Sequence, residues 1–165
     1  MIWRDDDISF ETDLKRFKQI QDLFLKYNVL HTIGLICKDI HKNIDLINFI
    51  NKNNIDVQIH CWNHYDMTLN YEKVKNDLPR CIETIEKCFG KRPTVLYVPW
   101  NHSDEMIEWI AKENELTVSN KKISLSGYLR GQTGEVINFH SWSDECIDLE
   151  AALIKYSNEN LHHHS

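Results

Sequence analysis

The sequence predicts an α/β fold in which a parallel sheet is covered by helices. Two observations predict it. Apolar runs of strand length alternate with amphipathic stretches of helical period along the chain, and no internal repeat or low-complexity linker interrupts them. The chain's 165 residues suit one domain, yet fall short of a complete eightfold β/α barrel of roughly 250 residues. Residues 1–160 are expected to form that domain, with 161–165 a short tail. The histidines of the tail are either native or the remnant of an expression tag.

Ile2 and Trp3 read as a short strand running into the acidic triplet Asp5-Asp6-Asp7. Thr12 then caps a helix whose apolar face is Leu14, Phe17, Ile20, Phe24 and Tyr27. Val29 to Cys37 is apolar and carries Ile33, Leu35 and Ile36, as a buried parallel strand should. The next helix presents Leu46, Ile47 and Ile50. Val57 to His60 is the third strand, and Tyr71 to Phe89 is a long helix with Val74, Leu78, Cys81, Ile82 and Ile85 on one face. Pro79 should kink that helix, and Gly90 is placed to end it. Thr94 to Val98 is the fourth strand. Ser103 starts a helix carrying Met106, Ile107 and Ile110, and a fifth strand falls around Leu116 to Val118. The stretch from Asn120 to Gly134 is polar, with a short strand at Ile123 to Leu125; Val136 to His140 is the last strand, and a helix runs from about Asp144 to Ser157.

Composition removes several function classes. The net charge is −6 and no basic stripe follows the chain, so a nucleic-acid partner is not expected. No apolar run approaches the length of a membrane span or a signal peptide. The five cysteines, Cys37, Cys61, Cys81, Cys88 and Cys146, form no CxxC pair and are odd in number, which suits reduced thiols in a cytoplasmic protein. His31 and His41 lack acidic or histidine neighbours at useful spacing and read as surface or loop residues.

Parallel sheets carry their sites at the carboxyl ends of the strands. The acidic triplet, His60 with His64, Pro99-Trp100-Asn101, and His140 each fall at such an end. Two imidazoles and a carboxylate suit a divalent ion of intermediate softness, with a coordination position left open. Singly, each feature has a plain structural reading: His60 and His140 as structural strand-end histidines, His64 as a loop residue, the triplet as a solvated turn. Trp62, Trp100 and Trp142 cluster at the same positions, either as core residues or as a flat apolar surface for a sugar ring.

On these motifs the chain resembles the polysaccharide deacetylase family, carbohydrate esterases that remove N-acetyl or O-acetyl groups. The resemblance implies a distorted, incomplete (β/α) barrel. It makes Asp6 the catalytic base and Asp7 a metal ligand, with Asp5-Asp6 the other register of the pair. His60 and His64, in HCWNHYD, complete the ligand set. Val98-Pro99-Trp100-Asn101 stands at the third motif without its usual arginine. Arg4, beside the aspartates, has the guanidinium to orient the base instead. The fourth motif's aspartate has no match between Asn120 and Gly134. The fifth motif is matched by Ile137-Asn138-Phe139-His140, which makes His140 the general acid.

The activity implied is metal-dependent hydrolysis of an acetyl amide or ester on a sugar or glycan precursor. Zn2+ is the expected ion, with Co2+ or Ni2+ as alternatives. Trp62, Pro99, Trp100, Asn101 and Trp142 would line the substrate. A cytoplasmic location favours a small, nucleotide-linked or lipid-linked precursor. An unpaired strand edge would be covered by a homo-oligomer. Two other readings are a carbohydrate-binding relative with weak or no turnover, and a hydrolase of a non-sugar amide on the same fold.

Overall fold

The computed structural model describes residues 1–119, 121–143 and 147–161. Seven strands hydrogen-bond in the order β5-β4-β3-β2-β1-β7-β6. They are β1 (Ile2–Ile8), β2 (Thr32–Ile36), β3 (Asp56–Cys61), β4 (Val95–Tyr97), β5 (Thr117–Ser119), β6 (Ile123–Ser124) and β7 (Val136–Phe139). The helices are α1 (Leu14–Lys26), α2 (Ile44–Lys52), α3 (Tyr71–Phe89), α4 (Glu105–Glu113), α5 (Leu125–Leu129) and α6 (Leu149–Leu161). No described helix is long and apolar enough to cross a membrane. The expected tail beyond Leu161 lies outside the described residues, as do Cys146 and the expected helix start at Asp144.

The chain forms two compact units. The first takes Met1–Asp5, Asp13–His31 and the residues from Lys121 on. Its strands run parallel: β1 pairs β7 from Ile2↔Val136 to Asp5↔Phe139, and β6 pairs the other side of β7. Trp3, Ile20, Phe24, Tyr128, Ile137, Phe139 and Leu153 are among the residues of its apolar core. The Trp3 ring meets Phe24, Tyr128 and Tyr156 edge-on at centroid distances of 5.6–6.0 Å. Such a quadrupole-matched contact adds roughly 0.5–1.5 kcal/mol to the burial itself.

The second unit takes Asp6–Thr12 and the chain from Thr32 through β5. Here β2, β3, β4 and β5 pair in parallel, and their buried face holds Ile33, Leu35, Ile59 and Leu96. The helix α3 covers them with Val74, Leu78, Cys81, Ile82 and Ile85. It starts on an Asn70 cap and stops at Gly90, whose φ of 72° is the left-handed conformation a side chain disfavours. It runs as one helix through Pro79.

Several expectations are revised. The first strand runs seven residues, straight through the acidic triplet, because Asp5 still pairs with Phe139 in the ladder. Asp13 rather than Thr12 caps α1: the Thr12 hydroxyl accepts the Ser9 N–H at 2.9 Å and is committed to that turn. Asp104 rather than Ser103 caps α4, accepting the Ile107 N–H at 2.9 Å. The helix α5 fills part of the polar stretch read only as loop and short strand. His31 does lie in a loop, but buried, stacked on Phe24 at 4.3 Å.

Candidate active site

The second unit brings Asp7 and the HxxxH pair together. His60 Nε2 lies 3.0 Å from Asp7 Oδ1, and His64 Nε2 lies 3.3 Å from the same oxygen. Among the described residues these three side chains are the group of His, Cys, Asp or Glu whose ligand atoms converge as a metal site does, all within 4.8 Å of one another. Burial alone would raise the Asp7 pKa. Hydrogen bonds and charge from His60 and His64 outweigh it and hold the carboxyl well below the usual carboxylate range.

Local structure explains how His60 is aimed. The β2–β3 ladder pairs Leu35 with Ile59 and then Ile36 with Cys61, so His60 is the extra residue of a β-bulge. A bulge turns a side chain out of the regular alternation. The ring is then fixed by Nδ1, which faces the Tyr97 carbonyl at 2.5 Å. A carbonyl only accepts, so Nδ1 carries the proton, and in a neutral ring Nε2 offers a bare lone pair. A lone pair facing a carboxylate oxygen at 3.0 Å is repulsive unless a cation lies between them. Either a second proton or a metal ion answers that need, and the Asp-His-His donor set suits zinc, cobalt or nickel. The residues fit the expected ion.

Asp7 itself has φ 62°, a left-handed conformation rare for an aspartate inside a strand end. It turns the carboxylate toward the histidines just where β1 finishes. Asp6 faces β2, and Gly34 explains how it fits. A Cβ built on Gly34 would stand 2.4 Å from Asp6 Oδ1 and 3.4 Å from His60 Cβ. The Asp6 carboxylate therefore occupies space that any other residue at position 34 would fill. The geometry puts Asp7, not Asp6, with the two histidines. Sequence reading missed Gly34; a glycine inside an otherwise apolar strand run was the available signal.

The loop after β4 carries Trp100 and Asn101, both left-handed, with φ of 52° and 55°. Trp100 is 56% exposed and stands edge-on to His64, ring centroids 4.4 Å apart. Pro99, in contrast, is buried. The loop is tied back by His102, whose Nδ1 lies 3.0 Å from Asp66 Oδ2, while Asp66 also accepts the Thr68 N–H at 3.0 Å. The His102 bond, then those of Thr68, lower the Asp66 pKa. The Arg80 guanidinium lies 3.9 Å from the Trp62 ring centroid, a cation–π contact that covers one face of that ring. Arg80 in turn reaches Asp77, which also pairs with Lys73 at 3.0 Å.

In the first unit, His140 follows the last residue of β7. Its ring lies 5.2 Å from that of Trp142, which is 58% exposed. The Ser143 N–H donates to the His140 carbonyl at 3.0 Å, closing a tight turn. Arg4 is wholly buried in β1, and its carbonyl accepts from Asn138 Nδ2 at 3.3 Å. Asp5 Oδ1 accepts the Ser141 N–H at 2.8 Å.

Three comparisons with known proteins follow from this geometry. The polysaccharide deacetylase family model matches residues 6–119, so His140 and Trp142 lie beyond the matched segment. No curated protein matches. Among solved structures, a CE4 family pseudoenzyme from Bacillus anthracis superposes with a TM-score of 0.80 at 15% identity, over 97% of this chain and 61% of that one. The chain thus spans less than two thirds of that neighbour. A mutant of the same protein with restored enzymatic activity gives the same score. The peptidoglycan deacetylase PdaC from Bacillus subtilis superposes with a TM-score of 0.78 at 17% identity, over 96% of this chain and 84% of that one. At these identities the likeness establishes the fold, and it bears out the expected fold class.

Proposed function

The chain belongs to the polysaccharide deacetylase family, and on that premise we propose that it is a divalent-metal-dependent hydrolase removing an acetyl group from a sugar or glycan precursor. The convergence of Asp7, His60 and His64 carries the reading. These three side chains would hold the ion, with Zn2+ the best match to the donors and Co2+ or Ni2+ as alternatives. A bound divalent ion supplies Lewis acidity and makes water nucleophilic at neutral pH.

The chain's own residues do the rest. Asp6, held against Gly34, takes the proton from the attacking water. His140 donates a proton to the departing amine or alkoxide, its role carried over from the family pattern. A main-chain N–H near Trp100 stabilises the developing oxyanion. Arg4 orients Asp6. Trp100 and Trp142, both exposed, offer apolar faces to a sugar ring, with Trp62, Pro99 and Asn101 completing the substrate surface. The printed names of two neighbours, a peptidoglycan deacetylase and a peptidoglycan N-acetylglucosamine deacetylase, support an N-acetyl sugar as substrate class. A cytoplasmic enzyme would meet it as a nucleotide-linked or lipid-linked precursor.

Metal content and acetate release test the proposal together. Chain truncated before Leu161 is expected to bind about one divalent ion, to lose it in His64→Ala, and to release acetate from an acetamido sugar when loaded. A parent that stays empty after incubation with zinc, cobalt or nickel would overturn the metal-dependent reading. A second reading is a relative with weak or no turnover. It is favoured by the pseudoenzyme neighbour and by the lack of an arginine beside Pro99. Metal and sugar binding without acetate release would select it.

A further inference from the structure

Resting on the reading of His140 as proton donor, we propose that Asp5 is a positioning residue that fixes the backbone on which the His140 ring turns. Asp5 is the one member of the acidic triplet that the proposed chemistry does not use, and it is wholly buried. A carboxylate in that position loses its hydration and is tolerated only where strong hydrogen bonds replace it. In a strand that needs only apolar filling, a residue such as valine or leucine would serve better.

The register shows what the carboxylate does. Between β1 and β7, Asp5↔Phe139 is the last pair of the register, one residue before His140. A side chain of β1 reaches further along: the Ser141 N–H donates to Asp5 Oδ1 at 2.8 Å, and Ser141 is itself buried. On the other flank, Asn138 Nδ2 donates to the Arg4 carbonyl at 3.3 Å. His140 is thus held between two anchors on consecutive residues of one strand, while its own carbonyl is closed into a turn by the Ser143 N–H. These bonds fix the backbone from which the His140 side chain projects. A proton donor must meet a leaving group within a few tenths of an ångström. The Asp5 bond extends the rigidity of the sheet past its last ladder rung to the residue that needs it.

The bond requires an acceptor oxygen, not a charge, and that distinguishes two variants. Asp5→Asn keeps an Oδ1 acceptor, and its kcat is expected within about threefold of the parent. Asp5→Leu keeps the volume and removes the acceptor. It is expected to lower kcat about tenfold or more, with KM and metal content near those of the parent. Amide hydrogen exchange of the parent gives a readout needing neither variant: the Ser141 N–H should exchange as slowly as the ladder amides of β7. Fast Ser141 exchange in the parent overturns the proposal. So does Asp5→Leu with parental kcat, or Asp5→Asn as impaired as Asp5→Leu. A parent that releases no acetate removes the functional reading and the role with it. An active parent beside an unimpaired Asp5→Leu removes this inference alone.

Discussion

Gly34→Ala is the sharpest single test of how Asp6, the proposed base, is seated. The added methyl would stand 2.4 Å from Asp6 Oδ1, where ordinary van der Waals contact begins at 3.4 Å, so the carboxylate must retreat by about 1 Å. Asp6 is only 2% exposed, so its displacement presses on packed neighbours. A displacement of that size at a reacting group costs about 10²-fold in rate, equivalent to about 2.7 kcal/mol of activation free energy. Overpacking of the strand should lower stability by about 1–3 kcal/mol in urea unfolding. The His60 Cβ, at 3.4 Å, is in ordinary contact with the new methyl, so the ligand set should survive. The expected result is a kcat reduced about 10²-fold with close to one ion per chain retained. Ile33→Val, on the same strand, serves as control because it destabilises by about 0.5–1.5 kcal/mol without touching Asp6. Parental kcat in Gly34→Ala would refute the reasoning. Loss of metal as complete as in His64→Ala would refute it too, since His60 rather than Asp6 would then have given way.

Other predictions follow from features described above. Burial pushes the His31 imidazole down to about 4, against 6.5 in the ordinary ring. The unfolded chain therefore binds a proton that the native state refuses as pH falls from 6.5 to 4. Stability should drop by about 2 kcal/mol by pH 5 and level off below pH 4. His31→Phe, which keeps the stacking on Phe24, should lose this part of the pH dependence; equal slopes in the two proteins would disprove it. Zinc at about 100-fold above its Kd should stabilise the parent by about 2.7 kcal/mol and His60→Ala far less, read as melting temperature. Trp100→Gly relieves a left-handed tryptophan, gaining about 1 kcal/mol of stability, yet should raise KM with little change in kcat. A lower melting temperature would show that the ring's contact with His64 outweighs the backbone strain.

Periodicity made most of the fold readable before any coordinate. The nineteen-residue helix Tyr71–Phe89 was bounded to the residue, because an apolar stripe of helical period meets a C-terminal glycine at position 90. What sequence could not show was tertiary in origin. The triplet reads as a turn on composition, yet β1 continues through it, with Asp5 paired to Phe139 across the ladder. The helix α5 has five residues, too few to display a period. At the site, HxxxH spacing and strand-end placement named the residues that converge. The bulge that aims His60 and the cradle at Gly34 depend on pairing between strands, which no local pattern encodes.

The division of the chain into units has a consequence for synthesis on the ribosome. The second unit is complete once residues up to the end of β5 have emerged. The first unit is not: it draws Met1–Asp5 and α1 from the start of the chain but waits for β7, and the bond from Asn138 to the Arg4 carbonyl closes a separation of 134 residues. Long-range closures of this kind are slow and come late. Trp3 must therefore remain without Tyr128 and Tyr156 until α5 and α6 have emerged. That interval is when a chaperone would find its handle, and burial of the Trp3 indole would mark the last act of folding.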